Sequence, residues 1–325
     1  MKTTLLQSHQ IDEAVSLLKK GELVALPTET VYGLAGDATN DQAIRKIFIS
    51  KKRPLNHPLI LHVGSLDEVL HLTNHVSDMA KLLAERFWPG PLTMLFYKNS
   101  KVSELITGGL QTLAIRIPDH PVMLEVLKKF GRPLVAPSAN IYKKISPTNV
   151  EHVIKGLAGQ IAAIVDGGTC KIGIESTIID MTKEQPTILR PGVISRSMIE
   201  EVTGVSIEAP LIHKEKISGN MEIHYQPDTP LLMLSLSEIQ HLLSKKNYHN
   251  IAIMHCSELE ASQGVALYPM PADQSDYARL MYQTLHNIDK TNAEKILVER
   301  PIDNPEWSGI YDRLSKASTK DKSYD

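Results

Sequence analysis

Cysteines and long apolar runs are both scarce in this sequence, and each shortage argues against a class of protein. The 325 residues include two cysteines, Cys170 and Cys256, far apart in the chain. This spacing argues against a disulfide framework or a cysteine zinc site and fits a reducing compartment. No window approaches the roughly 18 apolar residues of a membrane span. Asp12 and Glu13 follow the N-terminal apolar stretch too soon for a signal peptide. We therefore expect a soluble cytoplasmic protein with no membrane partner.

The sequence also lacks an excess of either charge. Lys and Arg number 35, Asp and Glu number 37, and the formal net charge is -2. This balance argues against a protein that coats nucleic acid nonspecifically, although it leaves a local basic patch open.

Several catalytic signatures are absent as well. There is no G-x-S-x-G elbow and no GxxxxGK[ST] loop, so a serine hydrolase and a P-loop kinase are poor interpretations. No H-x-H or HExxH spacing supports a zinc site.

Short apolar strands alternate with amphipathic helices along the chain. The 42% of hydrophobic residues supply ample material for a packed core. The alternation is typical of an α/β fold. Strands are predicted at residues 22–27, 58–63, 112–118, 161–168 and 176–180.

Helix boundaries are predicted from capping residues. Asn40 predicts the start of one helix, and Gly131 predicts the end of another. Ser65 with Glu68, and Thr148 with Glu151, have the spacing of capping boxes.

The chain is predicted to contain two domains. Residues 1–209 form the larger one, and residues 210–230 are interpreted as a linker because they hold Gly219, Pro227 and Pro230 without sustained periodicity. Residues 231–325 predict strand–helix–strand–helix–strand, a small Rossmann-like unit. It lacks a GxGxxG turn, so we assign it no dinucleotide.

The stretch PTETVYGL, residues 27–34, places three hydroxyls at alternate positions after a predicted strand. In extended structure Thr28, Thr30 and Tyr32 would point to one side and could hold a polar ligand. The alternative is a polar strand end followed by a tight turn.

Three consecutive cations, Lys51, Lys52 and Arg53, follow a predicted helix. Clustered cations on a loop suit phosphate oxygens, and an arginine can bind them with two nitrogens. Positive charge is also favoured at any helix C-terminus, and charge alone favours that simpler interpretation. His57 and His62 add polar groups nearby.

Arg116 lies inside the apolar strand LAIRIP. A buried arginine needs an anionic partner, either a carboxylate of the protein or one of a ligand. Other strand ends carry small polar groups or an arginine, namely Ser138, Asn140, Ser176, Thr177 and Arg190.

These stretches, in this order, resemble the YrdC-like domain of threonylcarbamoyl-AMP synthases. The matching pieces are PTETVYGL, the K-x-R of Lys51 and Arg53, HPLILHV, WPGPLT, LAIRIP, APSAN, GIESTIID and LRPG. Each is weak alone, but eight in register are highly specific. HYQPDTPL, YARLMYQTLHNID and GIYDRLSKAS resemble the longer members of the family. The resemblance implies a YrdC-like twisted sheet with flanking helices, followed by the smaller Rossmann-like α/β domain.

The resemblance also implies roles for individual residues. Positions that match those holding L-threonine are Thr30, His62, Arg116 and Ser176, with Arg116 facing the threonine carboxylate. Positions that match those around ATP are Lys51, Arg53, His57, Thr112, Ser138, Asn140, Ser146 and Arg190. Tyr225, in the linker, would close over the nucleotide.

The implied reaction has two steps. The threonine amine captures carbon dioxide or bicarbonate, and the carbamate oxygen then attacks the α-phosphate of ATP so that pyrophosphate leaves. The implied cofactor is Mg²⁺ held by the ATP phosphates, and no side chain is assigned as metal ligand, general acid or general base. Positioning, and neutralisation of phosphate charge by Lys51, Arg53 and Arg190, would accelerate the reaction.

The resemblance further implies a place for the product. It would supply threonylcarbamoyladenosine modification of tRNA through a downstream tRNA threonylcarbamoyl-transferase complex, and a weak contact with tRNA is compatible with this. We expect the linker to act as a lid over the active site that excludes water.

Three alternatives are considered at this point, and one of them is excluded by the sequence. An RNA-binding module with the same fold would bind RNA without turnover, although the substrate-site motifs count against it. A carbamoyl-transfer domain of hydrogenase maturation proteins would bring a longer chain with cysteine zinc fingers, which two cysteines exclude. A catalytically dead relative stays open, although all the motif residues are present.

Overall fold

The computed structural model of this chain describes residues 2–210, 217–219, 223–245, 249–260 and 262–319. The chain divides into two compact units. The first comprises Met1–Tyr142, Ser146–Lys171 and Glu175–Asn220, and the second Lys143–Ile145, Ile172–Ile174 and Met221–Asp325. The division after Asn220 falls inside the predicted linker, of which residues 211–216 and 220–222 lie outside the described residues.

The first unit is built from one mixed sheet and the helices around it. Its strands are β1 (Thr4–Gln7), β2 (Val24–Leu26), β3 (Gly33–Asp37), β4 (Ile60–His62), β5 (Leu92–Tyr97), β6 (Thr112–Arg116), β7 (Leu134–Val135), β8 (Ala163–Asp166), β9 (Thr177–Asp180) and β10 (Thr187–Arg190). Its helices are α1 (Ile11–Lys19), α2 (Asp41–Lys51), α3 (Leu66–Leu72), α4 (Asp78–Phe87), α5 (Glu104–Thr107), α6 (Pro121–Phe130), α7 (Val150–Leu157) and α8 (Arg196–Thr203). The described strands follow the order β1-β8-β2-β3-β7-β4-β6-β5-β9-β10.

Four helix boundaries test the capping predictions. Asn40 accepts hydrogen bonds from the second and third backbone N–H groups of α2, and Gly131 ends α6 with a φ of 69°, so both predictions are confirmed. Ser65 caps α3, but the Glu68 carboxylate accepts from the backbone of Gly64 rather than Ser65, so the box is only half formed.

The capping box predicted at Thr148 is wrong. Asn149 caps α7 instead, and its side chain accepts from the backbone N–H of His152 at 3.0 Å. Asparagine is at least as good an N-cap as threonine, so the helix begins one residue later than the threonine–glutamate spacing indicates.

Alternate residues of each strand enter different cores, because successive side chains of a strand point to opposite faces. Val24 and Leu26 of β2 pack with α1 and α6. Ala25 belongs to the larger core, to which α2 contributes Ile44 and Ile47. Helices therefore cover both faces of this part of the sheet, and the predicted α/β class is confirmed.

The second unit contains a smaller parallel sheet. Its strands are β11 (Leu231–Leu234), β12 (Ile251–His255), β13 (Val265–Pro269) and β14 (Lys295–Glu299), and its helices are α9 (Leu236–Ser244), α10 (Gln274–Ile288) and α11 (Ser308–Ala317). The described strands are ordered β11-β14-β12-β13 and all pairs are parallel. The predicted Rossmann-like unit is confirmed with one added strand, the edge strand β13.

The edge position explains why the sequence did not reveal β13. Its residues are partly or fully exposed, and it ends at Pro269, so it lacks the buried apolar run that marks its neighbours.

Among the described residues, no helix combines the length and apolar character needed to cross a membrane.

Candidate active site

One part of the first unit's sheet contributes to an apolar cluster that, among the described residues, contains no helix residue. The apolar cluster there consists of Ile60, Leu95, Ala114, Ile178, Leu189 and Ile217. The first five lie on β4, β5, β6, β9 and β10, and none of the six lies on a helix. We call the surface that these six residues define the site face.

The strand β6 carries predicted site residues on this face. Thr112, Ala114 and Arg116 are alternate residues and therefore point the same way. In the register of β4 with β6, His62 lies opposite Arg116 and Ile60 opposite Ala114. Thr112 lies at the other end of β6 from Arg116, about 13 Å away at ~3.3 Å per residue, a span that suits an extended ligand.

Arg116 forms a buried charged cluster with the turn that follows β2. Its Nε donates to the Gly90 carbonyl at 3.1 Å, and its Nη1 donates to the Thr30 hydroxyl at 2.9 Å. Its Nη2 lies 2.5 Å from Oε1 of Glu29. Of the two kinds of anionic partner that the sequence left open, the structure therefore provides a carboxylate of the protein.

The turn itself differs from the sequence prediction. The Thr28 hydroxyl lies 2.9 Å from that of Thr30, but the Tyr32 hydroxyl donates to the Gly168 carbonyl at 2.8 Å. The expectation that all three hydroxyls share one side is wrong, because residues 29–31 form a bend rather than continuing β2. Only the hydroxyl of Thr30 reaches Arg116.

His62 is a neutral member of this cluster. Burial, and secondarily the positive charge of Arg116, lower the pKa of the imidazole to about 3. At neutral pH it is therefore a hydrogen-bonding group and adds no second positive charge beside Arg116.

Ser176 and Arg190 meet on the neighbouring strands. The Ser176 hydroxyl lies 2.7 Å from that of Thr93. Arg190 donates from Nε and Nη2 to the Ser176 carbonyl at 3.1 and 2.9 Å, and from Nη1 to the Ser218 carbonyl at 3.0 Å. Ile217 packs in the cluster of the site face, so two neighbouring residues of the predicted linker, Ile217 and Ser218, contact this surface.

Lys51 organises a second part of the site. Its Nζ donates to the carbonyl oxygens of Ser138 and Asn140, the latter at 2.6 Å. The side chain is 1% exposed. Burial, and then the charge of Arg53, lower the pKa of this amine well below its usual value, whereas the Glu175 carboxylate acts in the opposite direction.

Arg53 and His57 meet at Tyr142. The Arg53 guanidinium lies 5.6 Å from the centre of the Tyr142 ring and donates to the Pro58 carbonyl at 2.9 Å. The Tyr142 hydroxyl lies 3.3 Å from Nδ1 of His57. Near Lys51, the buried hydroxyl of Ser146 donates to Glu175 at 2.5 Å.

The remaining candidate, Tyr225, belongs to the second unit. It is buried there at a φ of 60°, and its ring centre lies 6.0 Å from that of Tyr282. The Arg313 guanidinium lies 5.4 Å from the centre of the same ring.

The structure thus brings together three groups of the predicted residues. Arg116 joins Thr30 and His62, Arg190 joins Ser176, and Lys51 joins Ser138 and Asn140. Their assignment to threonine and ATP stays a prediction.

The sequence analysis missed four residues that contact or neighbour the predicted site residues, namely Glu29, Thr93, Tyr142 and Glu175. Each lies in or next to a stretch already singled out, and Glu29 stands between two threonines that were chosen. An acidic residue directly after a predicted buried strand was the available signal for Glu29. Thr93 gave no such signal, because its role follows from strand pairing.

Comparisons with known proteins agree over almost the whole chain. A family model described as "Telomere recombination" matches residues 16–192. A second, described as "Threonylcarbamoyl-AMP synthase, C-terminal domain", matches residues 194–319. The threonylcarbamoyl-AMP synthase of Bacillus subtilis is 38% identical over 95% of this chain and 93% of its own length. That of Pyrococcus abyssi is 34% identical over 96% of this chain and 95% of its own length.

A solved relative matches both units. The crystal structure of Pyrococcus abyssi Sua5 complexed with L-threonine has a TM-score of 0.90 and 33% identity, and covers 98% of each chain. Fold and site together define a two-domain α/β protein with buried polar and charged side chains grouped at one part of its larger sheet. The chain belongs to the threonylcarbamoyl-AMP synthase family, in its two-domain form.

Proposed function

We propose that this protein forms threonylcarbamoyl-AMP and pyrophosphate from L-threonine, bicarbonate or carbon dioxide, and ATP. The observation that carries this proposal is the buried Arg116 cluster on the site face of a chain from this family. The relative solved with L-threonine supports the amino-acid substrate, and the name shared by the relatives supports the adenylate product.

Threonine binds, in this proposal, at the end of β6. Nε of Arg116 is used by Gly90, but a guanidinium has five N–H groups, so donors remain for a carboxylate. Thr30, the neutral His62 and Ser176 supply hydrogen-bonding groups around it. These groups can fix the orientation of a small polar substrate through hydrogen bonds, which is how specificity arises in such sites.

ATP binds across the site face toward the other end of β6. Arg53 and Arg190 neutralise charge that develops on the phosphates. Lys51 acts with the segment Ser138–Asn140, whose carbonyls it holds. His57, Thr112 and Ser146 contact the nucleotide. The residues therefore accelerate the reaction by positioning and by electrostatic stabilisation, with the carbamate oxygen held in line with the α-phosphate.

Mg²⁺ enters the site as part of the MgATP substrate and balances phosphate charge. Among the described residues, no group of three or more His, Cys, Asp or Glu side chains could hold a metal ion. In this proposal the side chains of this chain act on the metal only through the nucleotide.

The predicted linker forms the lid of the site. Its described residues Ile217 and Ser218 already contact the site face and Arg190. Tyr225 contacts the nucleotide when the lid is closed. Closure excludes water and so protects the labile carbamate and its adenylate.

The product passes to a tRNA threonylcarbamoyl-transferase complex. We place the reaction in the cytoplasm, where ATP and tRNA are available. A weak contact with tRNA is compatible with this transfer.

Pyrophosphate release from ATP tests the proposed function. We expect release only when both threonine and bicarbonate are present, with serine and no-amino-acid reactions as controls. Threonine-dependent formation of ADP and phosphate would contradict an adenylate-forming reaction. RNA binding without any turnover would favour the binding-module alternative.

A further inference from the structure

The carboxylate of Glu29 is buried, yet its oxygens accept no hydrogen bonds among the described residues. The residue is 3% exposed, and neither of its side-chain oxygens accepts a hydrogen bond. The 2.5 Å approach of Oε1 to Arg116 is an ion contact without hydrogen-bond alignment, because Nη2 also has no hydrogen-bond acceptor. A carboxylate can accept about four hydrogen bonds, so Glu29 keeps acceptor capacity for a donor that enters the site.

The other titratable groups facing Glu29 do not add charge. Its negative charge acts on His120 and Cys170. Burial is the main cause that lowers the pKa of His120, and burial raises the pKa of the Cys170 thiol to about 12. Both groups are therefore neutral at neutral pH. Among the described residues, Arg116 is the one cation within ion-pair distance of Glu29.

The opposite charges of Arg116 and Glu29 lie next to each other, as do the two charges of an amino-acid substrate. An α-amino acid at neutral pH carries one carboxylate and one ammonium group, separated by a single carbon. Arg116 offers N–H donors to the carboxylate, and Glu29, in contact with it, offers free lone pairs to an ammonium. A zwitterion placed there leaves the buried cluster neutral, which keeps the electrostatic cost of burial low.

We propose that Glu29 binds the α-ammonium group of the amino-acid substrate while Arg116 binds its carboxylate. This inference rests on the proposed function, because it names a further residue of the same site. It assigns Glu29 a direct contact with substrate, beyond the role of holding Arg116. Binding through both charges also selects α-amino acids over simple hydroxy acids.

Two ligands separate this role from a purely structural one. L-threonine carries the ammonium group, whereas 3-hydroxybutanoate has the same carbon skeleton, hydroxyl and carboxylate without it. Isothermal titration calorimetry on the wild-type chain should give at least tenfold tighter binding of threonine. Equal affinities of the wild-type protein for the two ligands would overturn the proposal, and no variant is needed for that test.

The variant Glu29→Gln keeps the size and acceptor oxygen of the side chain but removes its charge. We expect at least tenfold weaker binding of threonine, with binding of 3-hydroxybutanoate unchanged or tighter. If Glu29 only positions Arg116, both ligands lose affinity in equal proportion, and the proposal is wrong. Unchanged threonine affinity also overturns it.

A matched control is Asp37→Asn. Asp37 is likewise 3% exposed and paired with an arginine, Arg132, at 3.0 Å, but it lies outside the three groups of site residues. It should leave both affinities unchanged, and thermal unfolding checks that each variant is folded. Failure of the proposed function looks different, because the wild-type chain would then neither bind threonine nor release pyrophosphate.

Discussion

The buried pair of Arg116 and Glu29 predicts that stability and substrate binding respond differently to substitution. Both side chains are about 5% exposed or less. Arg116→Met leaves the Glu29 carboxylate buried without its cation, and breaking a buried pair in this way costs about 3–5 kcal/mol. At ~2–4 °C per kcal/mol for a unit of this size, the melting temperature of the first unit should fall by about 6–20 °C.

The double variant Arg116→Met with Glu29→Gln removes both charges. Replacing a whole buried pair by uncharged groups is often neutral, so most of the lost stability should return. Threonine binding should stay weaker by about 2–5 kcal/mol, the scale for truncating a buried charged partner, or about 30- to 4,000-fold in affinity. Binding of a non-hydrolysable ATP analogue should change much less.

Differential scanning fluorimetry and calorimetric titration of wild type, the two single variants and the double variant provide the test. The reasoning fails if Arg116→Met melts like the wild type. It fails equally if the double variant regains threonine binding, or if threonine and the ATP analogue lose affinity to the same extent.

Three further predictions concern other parts of the site. Alanine at both Lys51 and Arg53 should abolish pyrophosphate release while the protein stays folded by circular dichroism. Near-normal turnover would show that neither residue acts on the phosphates. The pKa of His62 is lowered to about 3 in the folded protein. As pH falls below about 6.5, the unfolded chain therefore takes up this proton while the folded protein does not. The free energy of unfolding is thus highest above that pH and declines toward pH 3. His62→Gln should flatten this decline by about 1.4 kcal/mol per pH unit in urea unfolding, and an unchanged slope would show that His62 is not the group responsible. Threonine with an ATP analogue should protect residues 210–230 from limited proteolysis, whereas ligand-independent cleavage together with full activity of a chain ending at Ala209 would contradict the lid.

Much of the fold could be predicted because its signals are local. The apolar run around Arg116 and the cap at Asn40 each fix an element from a few neighbouring residues. Strand order has no such signal, since β4 pairs with both β6 and β7 across long sequence separations. The half-exposed edge strand β13 was missed for the same lack of a buried run.

The site divides in a similar way. Sequence motifs indicated Arg116 and Lys51 and the need for an anionic partner, but they did not identify Glu29 as that partner. The pairing depends on the bend after β2, which brings Glu29 to the end of β6. The contact of Ser176 with Thr93 depends likewise on the pairing of β5 with β9. Contacts of this kind depend on which strands pair, and only the structure shows that pairing.

The identity of the nucleotide product tests the central claim most directly. The protein is incubated with ATP, L-threonine and ¹³C-bicarbonate. The nucleotides are then separated by chromatography, and their masses are measured by mass spectrometry. We predict an AMP adduct that contains threonine and one ¹³C atom, together with an equal amount of pyrophosphate. ADP with phosphate as the nucleotide products, or an AMP adduct without the ¹³C label, would contradict the account.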